Sequence, residues 1–362
     1  MSGKMEIQNN TEIQLPLAFY RQDCLAKHVA FVDGQPGCGK TLFSSIIAAF
    51  DRVELLQYSP EIENISTLHY LGAIADDAAS TFIRTQCDLM LYETMMSRNT
   101  NFRLSDLSSV FGDTSLYRYF KRLFTRGDEH IPKKIHNEKP ILHIATHNLL
   151  PKLPVLGGDL SDKLVVIEVV RHPLYMLKQQ ALNFKNRVDH NRQFHIERVL
   201  TQNSTIPWYV SESDQFHQFN DVEKAIFSMQ RLSQLYEKRA NENGSLLQVV
   251  TIPFELFVLD PLQYIDKMCS LLNTQKSKRL KKMMVKHKVP RKKIADGINR
   301  RIYRRCGWVP AKNIKERDEL VIRRQFAIDH GASEEMMQVL DSLCLRYENK
   351  YLDNHKHLCL FN

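Results

Sequence analysis

No stretch of this chain approaches the run of about eighteen apolar residues that a bilayer span requires. Its opening, MSGKMEIQNNTEIQLPLAF, lacks an apolar block of signal-peptide length. These absences lead us to expect a cytoplasmic protein without a membrane span. There is no C-x-x-C pair, and the seven cysteines are odd in number and scattered, which argues against a zinc ribbon, a redox dithiol or a disulfide framework and fits a reducing compartment. The final Cys359-Leu360-Phe361-Asn362 lacks the usual last residue of a prenylation box. With 13 Gly and 13 Pro in 362 residues and no internal repeat, collagen-like, mucin-like and disordered classes are also set aside.

What remains is ordinary globular composition, 43% hydrophobic and 25% charged. The length suits one large α/β domain or two smaller ones. The formal net charge of +9 is strongly localised. Between Lys276 and Arg305 there are fourteen Lys or Arg and one acid, Asp296, so this segment carries +13 and the rest of the chain −4. One surface is therefore expected to meet phosphates, sulfates or polyanions; a solvated helix face explains the count equally well.

His28–Gly34, Lys139–His147, Asp162–Pro173 and Leu246–Glu255 are continuous apolar runs, the pattern of strands covered on both faces. Val53–Tyr58 is a further strand candidate, and the stretch from Ile65 to about Arg98 has helical spacing. Strands alternating with helices predict an α/β fold, a P-loop-type parallel sheet flanked by helices. We divide the chain into an N-terminal extension (1–27), an α/β domain (28–274) with a helical insertion at about 65–126, and a basic helical C-terminal region (275–362) packing on the same domain. Ser333, followed by two acids, predicts a helix start.

GQPGCGKT, residues 34 to 41, fits the phosphate-cradling pattern G-x-x-x-x-G-K-[ST] and lies between a strand and a helix, the context the motif needs. Gly34, Gly37, Cys38, Gly39, Lys40 and Thr41 are thus the first candidate anion ligands. Backbone N–H groups and the positive end of the next helix attract the anion, and Lys40 adds a mobile charge. A nucleoside triphosphatase would also need an acid at a neighbouring strand end to hold magnesium. The neighbouring runs lead instead to Arg171, His147 and Glu255, with Glu168 inside its strand.

Three segments carry a family resemblance. LVVIEVVRHPLYMLKQQALNF resembles the strand, Arg-x-Pro and helix of sulfotransferases, with Arg171 and Pro173 matching and Gln179 where the family usually has a serine. ILHIATHNLLPKLP is similar to that family's strand-end Lys-Thr-His, with Thr146 and His147 matching and Ala145 replacing the lysine. VVTIPFELFVLDPLQYIDKMCSLLNT resembles its later strand, Phe254-Glu255, Asp260-Pro261 and helix. The resemblance spans about His28 to Thr274 and is weakest at the glycine loop. It implies 3′-phosphoadenosine-5′-phosphosulfate as sulfuryl donor, Arg171 and Gln179 at its 3′-phosphate, and His147 as catalytic base, with Lys40 aiding the leaving group. By position, Arg291 and Lys292 before Gly297 match a basic stretch that closes over this cofactor. An imidazole titrates near 6.5, which suits it to take a proton at cellular pH.

The expectation is a sulfotransferase acting on a hydroxyl or amine of a small-molecule or glycan acceptor, with no metal. Tyr58 and His69 are candidate pocket residues. An ATP-dependent small-molecule kinase using magnesium is the rival enzyme, favoured by the intact Gly39-Lys40-Thr41. A nucleotide-regulated protein binding RNA or a partner is the third reading; only Tyr303 and Trp308 offer stacking beside the basic segment.

Overall fold

The computed structural model describes residues 18–297 and 314–362, apart from 22, 105, 107, 113–115, 126, 128, 155–163, 187–193, 201–204, 211–212, 214 and 243–246. Most of the N-terminal extension, the part of the basic segment from 298 to 305, and Tyr303 and Trp308 therefore lie outside the described residues.

The apolar runs form four parallel strands, β1 (Val29–Asp33), β2 (Leu142–Ala145), β3 (Leu164–Val170) and, after the short antiparallel pair β4 (Arg198–Leu200) and β5 (Thr205–Pro207), β6 (Gln248–Pro253). The sheet order is β2-β1-β3-β6, with Val29 opposite Leu142 on one side and Leu164 on the other. Successive side chains point to opposite faces. Ala30, Val32, Val165 and Ile167 enter one buried cluster while Val29, Phe31, Leu142 and Val166 enter another, so both faces are covered, as the runs predict.

On one face, the helix α1 (Lys40–Ile47) contributes Leu42, Phe43, Ile46 and Ile47 to the core. On the other, α2 (Pro60–Tyr70), α3 (Asp76–Thr94) and α5 (His130–Glu138) bury Ile62, Ile83, Leu91 and Ile131, with α4 (Leu116–Arg122) beyond them. The helices α6 (Pro173–Asn186) and α7 (Asp221–Glu242) pack together. The chain continues through α8 (Phe254–Leu259), α9 (Leu262–Leu271), α10 (Leu280–Lys286), α11 (Glu316–Asp329) and α12 (Glu334–Tyr347). Leu280, Met283, Leu320, Leu340 and Leu358 share the core of α1 and α6. Ser333 caps α12 by accepting from the Met336 N–H at 3.4 Å.

Val53–Tyr58 differs from expectation. It pairs with the edge at β2 in two isolated bridges, Val53 to Ile141 and Gln57 to Ile144, rather than as a continuous strand, and its Glu54 is buried. Its buried carboxylate accepts from Arg122 Nη1 at 2.7 Å and Nη2 at 3.0 Å, and from Tyr119 Oη at 2.9 Å.

Candidate functional site

Because β1 lies between β2 and β3, the segments that follow these three strands emerge together at the carboxyl edge of the sheet. That is where α/β folds place ligands. The segment after β1 is the glycine loop. Gly34, Gly37 and Gly39 all have positive φ, 143°, 90° and 106°, which residues with a Cβ adopt at a cost. Space imposes the same choice at two of them. A Cβ at Gly34 would strike the Val169 carbonyl, and one at Gly39 would strike the Phe254 ring. Cys38 is buried inside the turn, and burial pushes its thiol up. Lys40 begins α1, with Thr41 next, and its Nζ folds back over the loop to donate to the Gly34 carbonyl and to that of Gln35 at 3.4 Å.

Arg171, at the end of β3, is 4% exposed. It donates from Nη1 to the Gly37 carbonyl at 3.1 Å, and its guanidinium lies 4.2 Å from the Phe254 ring centre. Gln179, one turn and a half into α6, lies with Met176 against the Cβ position of Gly37. Arg291 approaches the same Phe254 ring at 5.6 Å, held by its Nη1 on the Ile294 carbonyl at 2.8 Å and its backbone N–H on Val258 at 2.7 Å. Thus the glycine loop, Arg171, Gln179 and Arg291 converge around Phe254, a residue the sequence marked only as part of a fold signature. Lys292, next in the chain, is exposed. Glu255 takes a structural role, accepting from the His172 N–H at 3.2 Å and Tyr347 Oη at 2.6 Å.

His147 follows β2 and is 42% exposed in its side chain. Its Nδ1 lies 3.3 Å from Glu63 Oε1, and Tyr58 stacks beside it with centroids 6.5 Å apart and planes 16° apart. His195 Nδ1 lies 3.4 Å from Glu63 Oε2. Beneath them the buried Lys152 donates to Thr67 Oγ1 at 2.8 Å and to the Glu63 carbonyl at 3.3 Å. Burial pushes the Lys152 amine down, with Glu63, Asp33 and Glu197 acting against that fall. His69 stands apart at the end of α2, 2.7 Å from Asp76. Sequence reasoning missed Glu63, His195 and Lys152. Glu63 reads as an acid in a helix first turn, and the two others come close only through the fold.

The acid closest to the loop is Asp33, the last residue of β1, which strand-end reasoning on the neighbouring strands passed over. Its Oδ1 accepts from Thr146 Oγ1 at 2.9 Å and the Leu149 N–H at 3.0 Å, and its Oδ2 from Tyr236 Oη at 2.8 Å and the Leu150 N–H at 2.8 Å. Burial alone would raise this carboxyl; the charge of Lys40 and the donors from Leu149, Leu150 and Tyr236 outweigh it and hold the group below its ordinary value. Both oxygens are committed to the protein. Next to the loop, a cavity of about 310 Å³ is bounded by Gln35, Arg171, Met176, Ser233 and Tyr347, within the size range of small-molecule sites.

No family profile and no curated protein matches the chain. Among solved structures it is similar to the sulfotransferase domain of the Synechococcus PCC 7002 olefin synthase, at 13% identity and a TM-score of 0.36, covering 83% of this chain and 94% of that one. It is similar also to the sulfotransferase domain of the curacin biosynthetic pathway, at 11% identity and a TM-score of 0.38, over 84% of this chain and 99% of that one. At these TM-scores the site itself has to carry the reading of function. Among the described residues no helix is long and apolar enough to cross a membrane.

Proposed function

We propose that the protein is a sulfotransferase, moving a sulfuryl group from 3′-phosphoadenosine-5′-phosphosulfate to a hydroxyl or amine of a small-molecule or glycan acceptor. The observation that carries this reading is the meeting, at one sheet edge, of a positive-φ glycine loop at the start of a helix, two arginines on one aromatic ring and a histidine beside a carboxylate. The residues fit a doubly anionic nucleotide: the loop offers backbone N–H groups, and Lys40, Arg171, Arg291 and Lys292 offer positive charge. When bound, such a donor supplies a sulfuryl group on a good phosphate leaving group.

The chain's own residues would divide the remaining work. With its proton on Nδ1, His147 would donate to Glu63 and keep Nε2 free to take the acceptor's proton, the logic of an oriented base. Lys40 would leave its loop carbonyls to follow charge building on the departing phosphate. Arg171 donates to the Gly37 carbonyl and, with Gln179, would hold the second phosphate. The kinase reading keeps the intact Gly39-Lys40-Thr41 in its favour, but the acid beside the loop already has four protein donors.

Calorimetry with adenosine 3′,5′-bisphosphate, and separately with ATP and magnesium, tests this. The bisphosphate is expected to bind without metal, and at least about tenfold more weakly to Arg171→Ala, the loss of one charge-assisted contact. Because Arg171 also supports the loop, the surface variant Lys292→Ala is measured beside it and should weaken binding in the same sense. Binding of ATP with magnesium and not of the bisphosphate would overturn the proposal in favour of a kinase.

A further inference from the structure

Beside the glycine loop, three side chains from distant parts of the chain form a second constellation. Glu63 comes from the first turn of α2, His147 follows β2, and His195 precedes β4. Their donor atoms all lie within 4.8 Å of one another. We infer that this cluster is a binding site for a divalent ion of the zinc class. Two imidazole nitrogens and one carboxylate are a donor set this ion favours, and three protein ligands leave a fourth position open. Oxygen-preferring cations such as calcium or magnesium would find too few oxygens.

Each imidazole nitrogen approaches one oxygen of the Glu63 carboxylate at a ligand-like separation. Metal bonds of about 2.1 Å in a tetrahedron place neighbouring donors about 3.4 Å apart. The His147 Nδ1 to Glu63 Oε1 and His195 Nδ1 to Glu63 Oε2 distances are 3.3 and 3.4 Å. The Glu63 side chain is 3% exposed, so an ion there would meet a carboxylate with little competing water. Around it the backbone is fixed by Lys152 on the Glu63 carbonyl. His195 Nδ1 is out of solvent and makes no hydrogen bond among the described residues. Its approach to Glu63 Oε2 at 3.4 Å lacks hydrogen-bond geometry, and an ion between the two would give that nitrogen a bonding partner.

An imidazole bound to metal through Nδ1 carries its proton on Nε2 and has no lone pair left for a second one. Occupancy would therefore silence His147 as a base and make the ion an inhibitor of transfer. The binding site stands on its own geometry, and only this consequence rests on the proposed role of His147.

The test is titration of the full chain, stripped with a chelator, with zinc by calorimetry and with cobalt(II) by visible absorption. One tight ion per chain and the cobalt spectrum of a four-coordinate site are expected. His195→Ala, changing a part-exposed residue, should weaken zinc at least about tenfold; Glu63→Gln should do likewise, and far-UV circular dichroism checks that each variant is folded. Fourteen histidines offer weaker sites elsewhere, so the difference between wild type and variant is the readout. No tight ion, or an affinity unchanged in His195→Ala, overturns the assignment. Failure of the bisphosphate to bind would sink the sulfotransferase reading and leave this result standing.

Discussion

Asp33 sits where β1 hands over to the glycine loop, and its carboxylate joins three parts of the molecule through four hydrogen bonds. Thr146 and the Leu149 and Leu150 amides belong to the segment after β2, Tyr236 to α7. An amide in its place would turn one acceptor into a donor facing buried donors. Asp33→Asn is therefore expected to lower stability by about 3 kcal/mol, measurable as a drop in the urea midpoint with unchanged slope. An unchanged midpoint would show that the four bonds carry no net energy. At this scale the sequence was legible where a motif has fixed spacing. Gly34, Gly39 and Lys40 could be found because their pattern is local and of fixed spacing, and Arg171 because a strand runs into Arg-x-Pro, although its partners Gly37 and Phe254 lie far away in the chain. Glu63, His195 and Asp33 could not, since each acts through residues about 80 to 200 positions away, and nothing local distinguishes a carboxylate that orients a histidine from one that begins a helix.

At the scale of a single strand, β2 carries a polar residue in an otherwise apolar run. His143 is fully buried there, and burial pushes its imidazole down to about 4, with contact to the Glu54 backbone opposing the fall. In the unfolded chain a histidine titrates near 6.5. The folded pKa is the lower one, so the unfolded state takes up the proton first and stability declines as pH falls from about 6.5 to about 4. The integrated loss is on the order of 3 kcal/mol. Chemical denaturation of wild type and His143→Leu at pH 7.5 and pH 4.5 should show a smaller pH-dependent loss in the variant. Equal losses would mean that other groups govern the acid limb. The strand at 142–145 was readable from apolarity alone. Val53–Tyr58 looked equally strand-like, yet it makes isolated bridges, and the Arg122 that pairs with its buried Glu54 lies 68 residues further along.

For the whole molecule, charge segregation is the property most visible from the sequence. Helix α10 buries Leu280 and Met283 and exposes Lys281, Lys282 and Lys286, so one basic face remains on an otherwise acidic body. Retention on an immobilised polyanion such as heparin should fall steeply with salt, and Lys281→Glu with Lys282→Glu should elute at clearly lower salt. Elution unchanged by the pair would place the attraction elsewhere. The alternating order of strands and helices gave the parallel sheet, but not which strands are neighbours; β1 pairs with β2 and β3, more than a hundred residues away. That topology also sets a timetable. The glycine loop leaves the ribosome about 220 residues before the Phe254 ring that closes on Gly39. At synthesis rates of about 5 to 20 residues per second that is a wait of about 10 to 45 seconds. Through this interval the nascent chain carries the glycine loop without the ring that packs against Gly39, so the loop's walls are completed long after the loop itself is made.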